Sequence, residues 1–216
     1  MATNSEGILV LCAHPDDQII GAGGTLAKYS AEGKRVIIVM FSYGESSHPW
    51  LRKSVTRSMR KVEAKRASAI VGAHKDIFMG LHEGKFTEEL QKGKVKDRIK
   101  QLIAGYHVKR ILTHSFDDPH PDHQAVVKFV MDLTKNMDSV EVFSFNIWNP
   151  LILRRSRAPK MYVDITHTFS KKIKALRVFK SQKRVVLLMF GGLLFGAMMK
   201  GIRNGTRFAE GFVKIK

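Results

Sequence analysis

Cysteine is almost absent. Cys12 is the only one among 216 residues. No disulfide can therefore form within the chain, a cysteine-based zinc site is excluded, and nothing requires an oxidising compartment. Acidic side chains are also scarce, 19 against 37 Lys and Arg, which gives a formal net charge of +18. That excess favours an anionic partner such as nucleic acid, a lipid headgroup surface or an acidic substrate, although charge also serves solubility. The basic residues are not interleaved with stacking aromatics and no nucleic-acid motif occurs, so specific nucleic-acid binding is not expected. No apolar run reaches the ~20 residues that cross a bilayer. The opening MATNSEG is short and polar and unlike a secretory signal, so the expected location is the cytoplasm. Repeats, linkers and low-complexity tracts are missing too. With 44% hydrophobic residues, the chain reads as one globular domain over 1–216, of which 150–216 is a basic and apolar portion.

What is present alternates between two kinds of segment. GILVLCA (7–13) and RVIIVMFS (35–42) are short apolar runs bounded by turn signals and read as buried strands. KDIFMG (75–80), RILTHS (110–115), the alternating SVEVFSFNIW (139–148) and MYVDIT (161–166) add four more. Helices are expected over 23–32, 54–71, 87–104, 122–137 and 169–182, the first two stopped by Gly33 and Gly72. Strands separated by helices of this length predict βαβ units, a mostly parallel sheet and an α/β three-layer Rossmann-like sandwich.

In such sheets ligands bind beyond the carboxyl ends of the strands. After the first strand come His14, Pro15, Asp16 and Asp17. After RILTHS comes FDDPHPDH, with Asp117, Asp118, His120, Asp122 and His123. Both clusters therefore fall on one rim. The spacing of three within His14/Asp17 and within His120/His123 lets side chains at a helix entrance point the same way. Neutral imidazoles with a carboxylate suit zinc, and a catalytic zinc takes three protein ligands and keeps its fourth position for water. Taken alone, Asp16 and Asp17 would serve as a helix cap and HPDH as a turn. Two such clusters at two strand ends favour a metal site.

The stretch AHPDDQIIGAGGTLAKYSAEGKRVIIVMFSYGE followed by HPDH, together with RKVEAKRASAIVG, MGLHEG and DIT…KKIKALRVFKSQ, resembles the PIG-L/LmbE-like zinc-dependent deacetylases, which act on N-acetylglucosamine-containing substrates. The resemblance implies that His14, Asp17 and His123 bind Zn2+. It implies Asp16 as general base and His120 as the group that stabilises the oxyanion, oriented by Asp122. It also implies that Arg60 and Glu83 contact sugar hydroxyls. Gln18 stands where the family often has Glu, and Glu83 where it more often has Asp. The expected activity is hydrolysis of an acetamide, with release of acetate and the free amino sugar. Two alternatives are a basic anionic-polymer-binding protein with a vestigial or structural zinc site, and an amidase acting on a thiol–sugar conjugate.

Cys12 is expected to be a buried thiol and His114 to lie close behind the site, while His48, Trp50 and Arg52 read either as one wall of it or as an ordinary loop. From Arg154 to Arg184 eleven basic residues face one acid, Asp164, and an uncharged run of 15 residues, Val185–Met199, follows. The run reads as a core helix or a lid. Its sharper reading is contact with an anionic membrane surface, which would make the protein peripheral to the membrane. The substrate expected is a sugar or glycolipid, and self-association stays open.

Overall fold

The computed structural model describes residues 5–147 and 160–216. At its centre is strand β1 (Gly7–Cys12), every residue of which is buried. It pairs in parallel with β2 (Arg35–Met40) and β4 (Val108–His114). β3 (Lys75–Phe78) extends the parallel set beyond β2, and β5 (Glu141–Phe145) beyond β4. β7 (Ala209–Lys214) runs antiparallel to both β5 and β6 (Lys160–Asp164). The sheet order is β3-β2-β1-β4-β5-β7-β6.

Successive side chains of a strand serve opposite faces. Ile8, Val10 and Cys12 join one core, and Leu9, Leu11 and Ala13 the other. The first core is covered by α1 (Asp17–Ala31), α2 (Lys53–Val71), α6 (Phe169–Leu176) and Met189 of α7 (Lys183–Arg203). The second is covered by Phe86 of the short α3 (Phe86–Glu89), by α4 (Gly93–Gly105) and by α5 (Pro121–Thr134). The three-layer α/β expectation is met. Strand order reverses between β1 and β4, so a crevice opens at their carboxyl ends.

Several boundaries differ from the sequence reading. α1 begins at Asp17, not Gly23. Its glycines are required by close approach: a Cβ on Gly21 would lie 2.3 Å from the Phe145 ring, and one on Gly24 2.7 Å from Ile165. That need outweighs the helix cost of glycine, ~1 kcal/mol each. The helix expected over 87–104 is split into α3 and α4 around Leu90–Lys92. The one expected over 169–182 stops at Leu176, and a separate 3-10 turn follows at Lys180–Gln182. β7 has no counterpart in the sequence reading. Cys12 is buried as expected. The run Val185–Met199 forms the middle of α7, but only Met189, Ala197 and Gly201 of that helix are buried, so it is not a core helix. Trp148 and the basic residues Arg154, Arg155 and Arg157 lie outside the described residues.

Candidate active site

The rim above β1 and β4 gathers the two His/Asp clusters. His14 follows β1, and its backbone N–H donates to Asp17 Oδ2 at 2.7 Å. Asp16 occupies the cap position of α1 but makes no side-chain cap bond, so its carboxylate is available for other work. Asp17 sits in the first helical turn, where the helix dipole favours negative charge. His120 caps α5, its Nδ1 accepting from the backbone N–H of Asp122 at 3.2 Å, and Pro121 opens the helix. A chain separation of over a hundred residues is thus closed by two neighbouring strands.

Three donor atoms converge. His14 Nδ1 lies 3.2 Å from His123 Nε2 and 3.5 Å from Asp17 Oδ2, and His123 Nε2 lies 3.5 Å from Asp17 Oδ2. Ligands ~2.1 Å from a tetrahedral ion stand about 3.4 Å apart, so this triangle has the dimensions of a metal site. The other ring nitrogen of each histidine meets a carboxylate: His123 Nδ1 is 2.9 Å from Asp118 Oδ2, and His14 Nε2 is 3.4 Å from Asp122 Oδ2. Carboxylates behind ligating imidazoles fix the tautomer and raise ligand basicity. His14, His120 and Asp122 form a second convergent group, and His114, Asp118 and His123 a third. The His14–Asp17–His123 group has both of its imidazoles backed in this way, so it fits a metal best.

Charge within the cluster is mutually stabilised. Burial opposes a charge on His14, but Asp122 and Asp17 outweigh it and lift its pKa to about 10. Burial likewise works against ionised Asp17, yet His123, with His14, holds its carboxyl well below the usual carboxylate range. Asp118 and Asp122 are also lowered, against burial, by His123 and His14 respectively. Burial pushes His120 down, and neighbouring His123 and His14 add to that shift. Because its Nδ1 accepts a backbone proton, neutral His120 carries its own proton on Nε2.

The remaining expected residues fall less simply. Arg60, on α2, is only 2% exposed. Its Nη2 lies 3.1 Å from Asp16 Oδ1 and its Nη1 3.4 Å from Asp16 Oδ2. It therefore braces Asp16 and offers little surface to a sugar. Gly44, with φ of +69°, makes room for it: a Cβ there would lie 2.7 Å from Arg60 Nε. Glu83 accepts from Ser42 Oγ at 3.4 Å and from the Ser46 N–H at 3.2 Å, at the rim beyond β2. The Asp122 carboxylate faces His14 and the Gly84 N–H at 3.0 Å, so it touches His120 through its backbone and orients His14 through its side chain. Gly84, at φ +79°, holds a left-handed conformation that favours glycine. His48 is buried and bonds Ser47 Oγ and the Ser181 carbonyl, while Trp50 is exposed.

Two contributors had no assigned role from sequence. Asp118 was visible only as one of several acids before HPDH. His114 is fully buried, and burial pushes its pKa down to about 4. Its neutral Nε2 accepts the Ala13 N–H at 2.9 Å, and its ring stacks on His123 at 3.9 Å.

Comparison with known proteins bears on this arrangement. Residues 9–134, which contain both clusters, match the family model described as PIG-L, GlcNAc-PI de-N-acetylase. A Bacillus cereus protein named probable N-acetyl-alpha-D-glucosaminyl L-malate deacetylase 2 is 25% identical over 191 residues, covering 83% of this chain and 85% of its own. N,N'-diacetylchitobiose deacetylase from Pyrococcus horikoshii superposes with a TM-score of 0.80 at 22% identity, covering 98% of this chain and 84% of that one. The 4-carboxy-2-hydroxymuconate hydratase GalB from Pseudomonas putida KT2440 superposes at 0.83 with 20% identity, covering 98% and 96%. These two likenesses concern the fold.

Proposed function

The chain belongs to the PIG-L family of LmbE-like deacetylases, and from that premise we propose that it is a zinc-dependent hydrolase that removes the acetyl group from an N-acetylglucosamine-containing substrate. The observation that carries the reading is the triangle of His14 Nδ1, Asp17 Oδ2 and His123 Nε2, with the His120 ring 4.9 Å from that of His14 and 4.6 Å from that of His123 between centroids. Imidazole and carboxylate donors in threes suit Zn2+ with an open position. Relatives named as deacetylases of N-acetylglucosaminyl malate and of an acetamido-inositol sugar support an acetylated amino sugar as substrate class.

His14, Asp17 and His123 would hold a zinc ion, which would supply Lewis acidity and lower the pKa of a water toward neutrality. Asp16, held in place by Arg60, takes a proton from the attacking water as general base. The water oxygen then adds to the acetamide carbonyl carbon. His120 donates its Nε2–H to the oxygen on which negative charge develops, and needs no prior protonation to do so. Asp118 and Asp122 keep His123 and His14 in register throughout. When the C–N bond breaks, the amine leaves with a proton returned by Asp16, and acetate departs.

The test is acetate release from a panel of acetylated amino sugars: free sugar, chito-oligosaccharide, glycosyl-inositol and glycolipid. Activity on at least one, abolished by chelator and restored by zinc, is the expected result. The hydratase relative supplies the contrasting control, the tricarboxylate 4-carboxy-2-hydroxymuconate followed by absorbance. Turnover of that compound, with no acetate from any sugar, would replace deacetylation with hydration.

A further inference from the structure

Helix α7 is apolar on the side it turns outward. Leu187, Leu188, Phe195, Met198, Met199 and Ile202 are all exposed, Leu188 to 75% of its surface. At 3.6 residues per turn these positions share one face with Gly191, a strip about 23 Å long. The one charged residue within that span, Lys200, falls on the opposite side. The inner side packs on the sheet. Met189 enters the core, and Gly201 rests on the backbone of the 206–207 turn, where a Cβ would lie 2.6 Å from the Arg207 carbonyl. By length and composition the helix could cross a membrane, but these contacts lay it along the body of the protein instead.

Cations bracket the strip, with Lys180, Lys183 and Arg184 at its amino end and Arg203 at the other. Beside it a cavity of about 510 Å³ opens between α6 and α7, its lining shared between apolar Ile173, Phe179 and Phe190 and basic Arg177, Lys180 and Lys183. Apolar walls with a cationic border complement an acyl chain that carries an anionic head. The Lys180–Gln182 turn that leads into α7 is tied to the segment after β2 and to α2. His48 Nε2 bonds the Ser181 carbonyl at 3.1 Å, and Glu63 accepts the Ser181 N–H at 2.9 Å. Trp50, two residues beyond His48, is exposed with its ring against the imidazole. An indole is suited to the boundary between apolar and polar phases.

We propose that α7 lies in the surface of an anionic lipid bilayer, with its apolar strip in the acyl–headgroup boundary, its cations on the headgroups and Trp50 at the edge of the contact. The docking does not rest on the deacetylase reading. If both hold, the substrate is an acetamido sugar carried on lipid.

The test is co-sedimentation of the full chain with vesicles of phosphatidylcholine alone, or with 30 mol% (about one third) phosphatidylglycerol, at low and high salt. Binding should need the anionic lipid and weaken with salt. The double variant Leu187→Glu/Phe195→Glu changes exposed positions only and should lower the bound fraction at least ~10-fold. Replacing Lys180, Lys183 and Arg184 with Gln should weaken binding by about fivefold per cation. Equal binding to neutral vesicles, or no effect of the double variant, overturns the proposal. So does a wild-type dimer that the double variant turns into a monomer, since a second copy would then own the face. Acetate release from a water-soluble acetylated sugar without vesicles should be unchanged in both variants, which verifies their fold. If vesicles bind as expected while no protein releases acetate, the docking stands and the deacetylase reading falls.

Discussion

Arg60 grips Asp16 from beneath, its guanidinium 3.1 Å from Oδ1 and 3.4 Å from Oδ2, with both side chains buried. Breaking a buried ion pair from one side costs ~3–5 kcal/mol because the other charge is left unpaired. Arg60→Gln should therefore lower the melting temperature, reduce kcat at least ~10-fold and keep one equivalent of metal. Steady-state kinetics decides between two roles. A raised KM at unchanged kcat would instead make Arg60 the sugar contact that the family resemblance implies.

Adjacent carboxylates should separate under substitution. Asp16→Asn removes a base and should retain metal while losing ~10²–10⁴-fold in turnover. Asp17→Asn removes a ligand and should lose metal as well as activity. Metal content by elemental analysis, beside kcat, checks both. Equal metal loss in the two variants would defeat the assignment.

His120 presents Nε2–H because its Nδ1 accepts the Asp122 backbone proton. His120→Ala should keep the metal and lose ~10²-fold or more in kcat. His120→Gln, whose amide restores a donor, should recover part of that loss. Identical rates for the two would mean that the imidazole contributes something other than this hydrogen bond.

The Asp118 carboxylate lies 2.9 Å from His123 Nδ1. Asp118→Asn should lower metal affinity by ~10–100-fold, measured by competition with a chelator, while leaving the fold intact. Unchanged affinity would reduce Asp118 to a helix-entry residue, a role suggested by its bond from the His120 N–H at 2.9 Å.

Asp76, on β3, is partly buried with Oδ1 shielded from solvent, and burial pushes its pKa up to about 6. The folded state then holds this proton more tightly than the unfolded chain, so the group costs no stability below pH ~4 and an increasing amount as pH rises through about 6. Asp76→Asn should melt higher than the parent at pH 7.5, and the difference should vanish near pH 4. An advantage that does not change with pH would point to packing instead of charge.

Much of this was readable before any coordinates. β1, β2 and β4 are apolar runs between turn signals, and a parallel sheet places their carboxyl ends on one rim, so HPDD and HPDH could be joined on paper. β7 could not. Its AEGFVK is weakly apolar, and it pairs with β5 and β6 only after α7 has intervened. The start of α1 was hidden by three glycines, whose purpose lies in Phe145 and Ile165 far along the chain. The partner of Arg60 was hidden for the same reason, because a pairing across 44 residues leaves no mark in local spacing. The family resemblance pairs Asp122 with His120, whereas its carboxylate reaches His14 through space.

Asp17 opens α1, and four residues later that helix is wedged against Phe145 with no room for even a methyl group. Gly24 is similarly confined by Ile165, and Glu210 holds the Gly24 and Thr25 N–H groups at 3.1 and 2.7 Å. The carboxylate proposed to bind the metal is thus mounted on a closely packed helix, which would leave little of the chain for an ion to order. Little of an ion's affinity would go into ordering the chain. Nearly all of it would reappear as resistance to unfolding, about 2.7 kcal/mol at a hundredfold excess over Kd. Heat tolerance of the whole sheet would then follow the supply of a single ion.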